Sequence, residues 1–275
     1  MRTPRTASFF SPLRNTHLAG LVAAFLLLML FLSLNVMAEE SPRDLNSLLK
    51  DLGSSDPAIA TQAVRAIRSR SYTSKEALPA LAKAVKHPSE VVRMTAIETL
   101  SEIGPEAAPA VPALAEALKD QDPMIREAAA LALFAIGNAA GATVSDLVQC
   151  LGDPNKRVRD AAILALAGLG QAALPPLVGL LRSKDQVLRD TAAQALGRMG
   201  AQAVPDLVAV LKNGDPQASP AAAKALTEIG EPAVHPLIGL LVTGNQQAAA
   251  LAGQTLVAIG SPAVPALVEA LRKPR

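Results

Sequence analysis

Apolar residues recur along this chain in short helical clusters whose centres keep a fixed interval. Leu81, Leu114, Leu147, Leu177, Leu207, Leu237 and Leu267 are spaced by 33, 33 and then 30 residues throughout. A polar series keeps step with them at Asp56, Ser89, Asp122, Asn155, Asp185, Asp215 and Asn245. Side chains of these types cap helix N-termini, because their oxygens accept from free backbone N–H groups. A third series closes each cluster at Ser71, Gly104, Gly137, Gly170, Gly200, Gly230 and Gly260. Glycine there suits a left-handed residue that ends a helix. A start signal, a stop signal and a second helix, recurring about every 30 residues, predict a helical repeat array.

Counting back from the closing residue exposes the first helix of each repeat. Ala63, Ala96, Ala129, Ala162, Ala192, Ala222 and Ala252 stand eight before it. Ile67, Leu100, Leu133, Leu166, Leu196, Leu226 and Leu256 stand four before it. Adding Ile103, Ile136, Leu169, Met199, Ile229 and Ile259, one before it, gives steps of four and three that trace one helical face, so these residues are the predicted core. Pro57, Pro123 and Pro216 directly follow their caps, where a missing N–H costs nothing. Each marker Leu lies eight residues before the next cap, so the change from 33 to 30 falls in the loop inside the repeat. Stacking between repeats is therefore expected to persist along the array.

Ahead of the first full repeat, Leu45, Leu48, Leu49 and Leu52 mark one more helix in register. Its polar members predict a half-repeat cap, as the end of such an array requires. Residues 1–38 read differently. Three arginines precede an apolar run from Leu18 to Leu34, and Val36-Met37-Ala38 precede Glu39 and Glu40. That order fits a signal peptide cleaved after Ala38 or a retained membrane anchor. Both alternatives place the repeats outside the cytoplasm, in the periplasm or beyond it. The expected organisation is a leader at 1–38, a capping helix at 39–55 and a repeat domain at 56–275. The membrane is met only through residues 18–38, if uncleaved.

With the leader's arginines set aside, residues 39–275 carry 23 basic and 24 acidic side chains. Tyr72 and Phe134 are their only aromatics. A surface without basic excess or stacking platform speaks against a nucleic-acid partner. Cys150 is the only cysteine, so no internal disulfide forms. It occupies a position held by small or aliphatic residues in the other repeats, which predicts a buried thiol.

The fragments Asp122-Pro123-Met124-Ile125-Arg126-Glu127-Ala128-Ala129 and Val158-Arg159-Asp160-Ala161-Ala162 resemble HEAT repeats of the short, phycobilisome-lyase-like type. So does Ile259-Gly260 with Ala263-Val264-Pro265-Ala266-Leu267. The resemblance covers residues 43–271. It implies an all-α, right-handed α-α superhelix (a HEAT-like solenoid) of about seven helix pairs with an N-terminal half-repeat. It also implies a polar ladder between repeats, here matched by Arg93, Arg126, Arg159 and Arg189 with the acids Glu127, Asp160 and Asp190. Ser219 and Ala249 stand in the arginine position of the last two repeats. Asp122 with Arg126, and Asp185 with Arg189, also have a favourable four-residue spacing.

Little in the sequence points to chemistry. His17, His87 and His235 lack neighbours at metal-ligand spacing. The di-iron hydroxylases on related repeats use His-Glu pairs, absent here, and bilin lyases of the resembling family work in the cytoplasm. Serine-hydrolase and phosphate-loop patterns are missing. No cofactor is expected. The reading is an exported, non-catalytic scaffold for another protein or peptide, with a lyase-like or hydroxylase-like enzyme completed by a partner as the alternative. Two candidate surfaces follow. Lys86, Lys119, Arg182, Lys212 and Arg272 form a basic row five residues after the markers. Gly179, Ala209 and Gly239 leave a small-residue strip on the second helices, on the face the resemblance implies to be concave. The last two repeats lack the arginine series and an evident polar cap, so that end is expected to dock a partner or, by self-association, a second copy.

Overall fold

Helices in this chain begin where a polar oxygen meets the first free N–H groups. Asp56 accepts from the Ala58 N–H at 2.8 Å, Asp122 from Met124 at 2.8 Å and Asn155 from Arg157 at 2.9 Å. Asp185 accepts from Val187 at 2.8 Å, Asp215 from Gln217 at 2.9 Å and Asn245 from Ala248 at 2.8 Å. Ser89 departs from the expectation. Its hydroxyl makes no cap bond. Its own N–H donates instead to His87 Nδ1 at 3.0 Å.

The computed structural model describes residues 44–69 and 77–272. The leader, Ser71 and Tyr72 lie outside the described residues. All regular structure among the described residues is helical. The half-repeat is α1 (Leu45–Leu52). The first helices are α2 (Pro57–Ser69), α4 (Glu90–Ile103), α6 (Pro123–Ile136), α8 (Lys156–Gly168), α10 (Gln186–Met199), α12 (Ala218–Ile229) and α14 (Gln246–Ile259). Their partners are α3 (Ala77–Ala84), α5 (Val111–Ala117), α7 (Val144–Cys150), α9 (Leu174–Leu180), α11 (Val204–Asn213), α13 (Glu231–Thr243) and α15 (Val264–Arg272). These are the seven expected pairs of an all-α solenoid. Residues from Leu48 onward form one compact unit, so its boundary falls inside α1. First helices stack on first helices, α6 on α8 and α10 on α12, while second helices such as α11 and α13 make the other layer.

Burial follows the repeat positions. The alanines eight before the closing residue, Ala63 to Ala252, are all fully buried. An alanine there lets neighbouring first helices approach closely, and larger side chains would overpack the seam. Six of the seven marker leucines are fully buried, and Leu267 in α15 is half-buried.

The shortening from 33 to 30 residues sits inside the repeat. The long repeats link their helices with seven-residue 3₁₀ segments, Gly104–Ala110 and Gly137–Thr143. The short ones use Gly170–Ala172, Gly200–Ala203 or Ser261–Ala263, and Gly230 leads directly into α13. The closing glycines Gly104, Gly137, Gly200, Gly230 and Gly260 depart from the expected left-handed conformation. Gly137 has φ 73° with ψ −141°, a region essentially closed to any residue with a Cβ. The left-handed conformation proper occurs at Gly214, where φ is 67° and ψ 25° after α11.

Pro123–Cys150 is long and apolar enough to cross a membrane by composition alone. It consists of α6, its 3₁₀ segment and α7, whose inward faces carry the array's core. Cys150 lies within that core at 5 % exposure. Burial, then the nearby Asp153 carboxylate, push its thiol up to about 11 against the opposing pull of Arg126. Near pH 8 that shift alone lowers the reactive thiolate population by roughly a hundredfold. A maleimide is therefore expected to label Cys150 slowly in the native protein and rapidly in denaturant. Fast native labelling would place α7 in the wrong register.

Candidate partner-binding surfaces

The recurring polar groups of the turns are occupied first. Each ladder arginine turns its Nη1 onto two carbonyls of the turn before its own helix. Arg126 donates to Asp120 O at 2.8 Å and Gln121 O at 3.0 Å, and Arg159 to Asp153 O at 2.7 Å and Pro154 O at 3.1 Å. Arg93 does the same at His87 and Pro88, and Arg189 at Ser183 and Lys184. Two of the four also reach the turn of the following repeat. Arg126 grips Asp153 with two bonds, Nε to Oδ2 at 2.7 Å and Nη2 to Oδ1 at 3.0 Å. Arg93 meets Asp120 less squarely, with Nη2 donating to Oδ1 at 3.3 Å and Nε 2.9 Å from Oδ2.

Of the acids expected in the ladder, Glu127 and Asp190 do bridge repeats, but through Arg157 and Lys224 and not through the ladder arginines, and Asp160 stays within its own helix. Glu127, Asp160 and Asp190 each follow an arginine by one residue, which rotates them about 100° around the helix to its outer face. There Glu127 pairs with Arg157 at 3.0 Å, Asp160 with Lys156 at 2.7 Å and Asp190 with Lys224 at 3.1 Å. Asp122 and Asp185 also make no ion pair with Arg126 and Arg189, because their carboxylates cap the helix instead. In repeat six Ser219 replaces the arginine, and its buried Oγ has no hydrogen-bond partner.

A polar series missed by the sequence reading holds these turns together. Two residues before a cap, a side chain accepts that cap's own N–H: Ser54, His87, Asp120, Asp153 and Ser183, at 2.8–3.1 Å. Its spacing of 33, 33, 33 and 30 was visible, but its mixed residue types hid it. At His87 the accepting Nδ1 fixes the neutral tautomer, so Nε2–H donates to Ser54 O at 3.0 Å. Arg159 has no acid across the next turn, because Ser183 stands where Asp120 and Asp153 stand in the two preceding junctions. Ser183→Asp should add the missing rung, stabilising the protein by about 1 kcal/mol and raising Tm by a few degrees. An unchanged or lower Tm in a calorimetric scan would mean that this junction holds the two groups apart.

The predicted binding residues all lie on the surface. Lys119 pairs with Asp146 at 3.0 Å and Arg182 with Asp215 at 2.8 Å. The hydrogen bond to Asp146 raises the pKa of Lys119, and the one from Arg182 lowers that of Asp215. Lys86, Lys212 and Arg272 are exposed. Gly179, Ala209 and Gly239 are exposed, and a Cβ added at either glycine would meet nothing within 4 Å. The strip is smooth but offers a partner little to grip.

The surface with a grip is elsewhere. On the outer face of the first helices Val91 is 55 % exposed, Met124 56 %, Leu131 37 % and Phe134 47 %. Met94, Ala128 and Leu164 adjoin them half-buried. Between α4 and α6 a groove of about 350 Å³ is lined by Met94, Ile97, Met124, Ala128 and Leu131. Its rim carries Glu98, Glu102, Glu127 and Arg157; Arg68 bridges Glu98 and Glu102, and Arg157 pairs with Glu127, which leaves one net negative charge. Phe134 is held over Gly168, where an added Cβ would stand 2.9 Å from the ring. The signal was present in α6, since Met124, Leu131 and Phe134 are seven and three residues apart on one face. Among the described residues no group of three His, Cys, Asp or Glu side chains could hold a metal ion.

Comparison with known families matches the chain to HEAT repeats over residues 45–133, 144–218 and 174–250. The chain is a HEAT-repeat protein. Comparison with curated proteins gives no significant match. Among solved structures this HEAT-repeat chain is similar to the complex of CpcE and CpcF of phycocyanin lyase from Nostoc sp. PCC7120. Identity is 21 %, with 84 % of this chain and 95 % of that one covered at a TM-score of 0.44. It is similar to the archaeal HEAT-like repeats protein from Thermococcus onnurineus NA1 at 16 % identity, covering 82 % of this chain and 100 % of that one, TM-score 0.47. Computationally designed armadillo repeat proteins for modular peptide recognition are similar at 20 % identity, covering 78 % and 99 %, TM-score 0.47.

Proposed function

We propose that this HEAT-repeat array is an exported, non-catalytic scaffold that binds another protein through the outer face of repeats two to four. The observation that carries the reading is the exposed apolar row of Met124, Leu131 and Phe134 along α6, of which Met124 and Leu131 line the groove beside α4. Aromatic and Met side chains are enriched at the centres of protein interfaces, and a polar rim is their usual frame. Flexible methionines let such a groove adapt to a helix or an extended segment. Export rests on the leader's three arginines, its apolar run and the small residues up to Ala38.

A photo-cross-linking residue placed at Leu131 should capture a discrete partner in the native cell, whereas the same residue at Ala209 should not. Capture from position 209 alone would move the binding surface to the second-helix strip. A C-terminal reporter enzyme that is active only outside the cytoplasm should be active in the full-length fusion. Activity of a cytoplasmic reporter in its place would refute export.

A further inference from the structure

Between α10 and α12 the first helices of repeats five and six leave a pocket of about 540 Å³. Ten residues before the closing glycine stand Glu127, Asp160 and Asp190 in repeats three to five, but Pro220 in repeat six. Pro220 lacks an N–H and takes a place in the first turn of α12, where none is needed. With Pro216 and Ala221 it gives the pocket an apolar wall. The charged lining is Arg189, Asp190 and Lys224, one positive charge in excess. Both oxygens of Asp190 are taken, Oδ1 by Lys224 Nζ at 3.1 Å and Oδ2 by Gln186 Nε2 at 2.7 Å. Arg189 has no ion pair among the described residues. Where the turn after Arg126 offers Asp153, the turn after Arg189 offers Asn213, and the Asp215 carboxylate of that turn is held by Arg182 at 2.8 Å. Arg189 engages two turn carbonyls through Nη1 and Gln186 through Nη2. Its Nε, the atom with which Arg126 meets Asp153 Oδ2, is left without an acceptor.

We propose that this pocket binds a peptide carboxylate carried on a short apolar stem. One carboxylate cancels the excess charge of the lining. Arg189 Nε and the ammonium of Lys224, which keeps donors beyond the one given to Asp190, supply charge-assisted hydrogen bonds to it. Pro216, Pro220 and Ala221 offer the stem an apolar surface that asks for no hydrogen bond. A phosphate, with more than one charge at neutral pH, would leave negative charge in excess beside Asp190. The site is separate from the apolar face of repeats two to four and does not rest on it.

The test titrates short peptides into the full chain in neutral detergent and reads binding from the NMR signals of the peptide. One probe is acetyl-Ala-Ala-Val with a free C-terminus. A second is acetyl-Ala-Glu-Ala-amide, whose only carboxylate is a side chain, and the control is acetyl-Ala-Ala-Val-amide. A carboxylate probe should bind at millimolar concentration or below, and the control about tenfold more weakly. Tighter binding of the first probe assigns the natural ligand to a chain end, and of the second to an acidic side chain. Lys224→Glu should weaken binding about tenfold with helical content unchanged, since this side chain is exposed in the single chain. Asp190→Asn, which removes the one anion of the lining, should strengthen binding severalfold, a gain that a merely structural role would not give. Lys212→Glu, outside the pocket, should leave it unchanged. Binding of neither carboxylate probe would overturn the proposal, as would equal binding of the control. Inorganic phosphate binding more tightly than both probes, or Lys224→Glu binding as the wild type does, would also overturn it.

Discussion

Arg126→Met should cost about 3 kcal/mol of stability and lower Tm by about 6–12 °C. The guanidinium is 14 % exposed and the Asp153 carboxylate 9 %. Removing the cation therefore strands a nearly buried charge rather than a solvated one, and it also frees the carbonyls of Asp120 and Gln121. Leaving one partner of a buried pair is far costlier than removing both, so Arg126→Met with Asp153→Leu should recover part of the loss. Acid sensitivity should change as well. Burial pushes the Asp153 pKa up, but the hydrogen bonds from Arg126 and the Asn155 N–H outweigh it and hold the carboxyl below its ordinary value. Stability from this group is complete above that ordinary value, about 4, and is lost as pH falls through the lowered one. In Arg126→Met the carboxyl loses its cation, and the acid unfolding midpoint should rise. Thermal unfolding followed by circular dichroism at neutral and acid pH measures both effects. A variant within about 0.5 kcal/mol of wild type would show that the ladder contributes only geometry.

Phe134→Asp should abolish partner binding while leaving the fold intact. The ring is 47 % exposed and its underside rests on Gly168, so the single chain loses little packing. Within an interface, the same change buries a carboxylate on the apolar face beside the groove between α4 and α6. A loss of about a hundredfold in affinity, roughly 3 kcal/mol, is expected for a central aromatic anchor. Calorimetric titration of the partner captured from position 131 measures it. Lys212→Glu, on the second-helix side, should change affinity less than about threefold, as an exposed charge outside the contact does. Equal affinity for Phe134→Asp and wild type would remove the first-helix face as the binding surface.

Much of the fold was legible because its determinants are local. A cap and the N–H it satisfies are two or three residues apart, and a helix face is written in steps of three and four. Hence Asp122, Ala129, Leu133 and Gly137 disclosed the first helix of their repeat without knowledge of its neighbours. The fixed eight residues from marker to cap likewise placed the shortened loop on the correct edge. What the sequence left undetermined were meetings between groups a repeat apart. Arg126 bonds Asp153, 27 residues on, rather than a rung built from adjacent Glu127, because stacking brings the next turn over the arginine while one step along the helix carries Glu127 outward. His87, rather than the Ser89 hydroxyl, organises its turn for the same reason, reaching back 33 residues to Ser54. Exposure was decided last. The sequence by itself determined that Met124 and Phe134 are apolar and helical; only the packing of whole repeats decided that neither is covered, since burial belongs to the neighbour that arrives and not to the residue that waits.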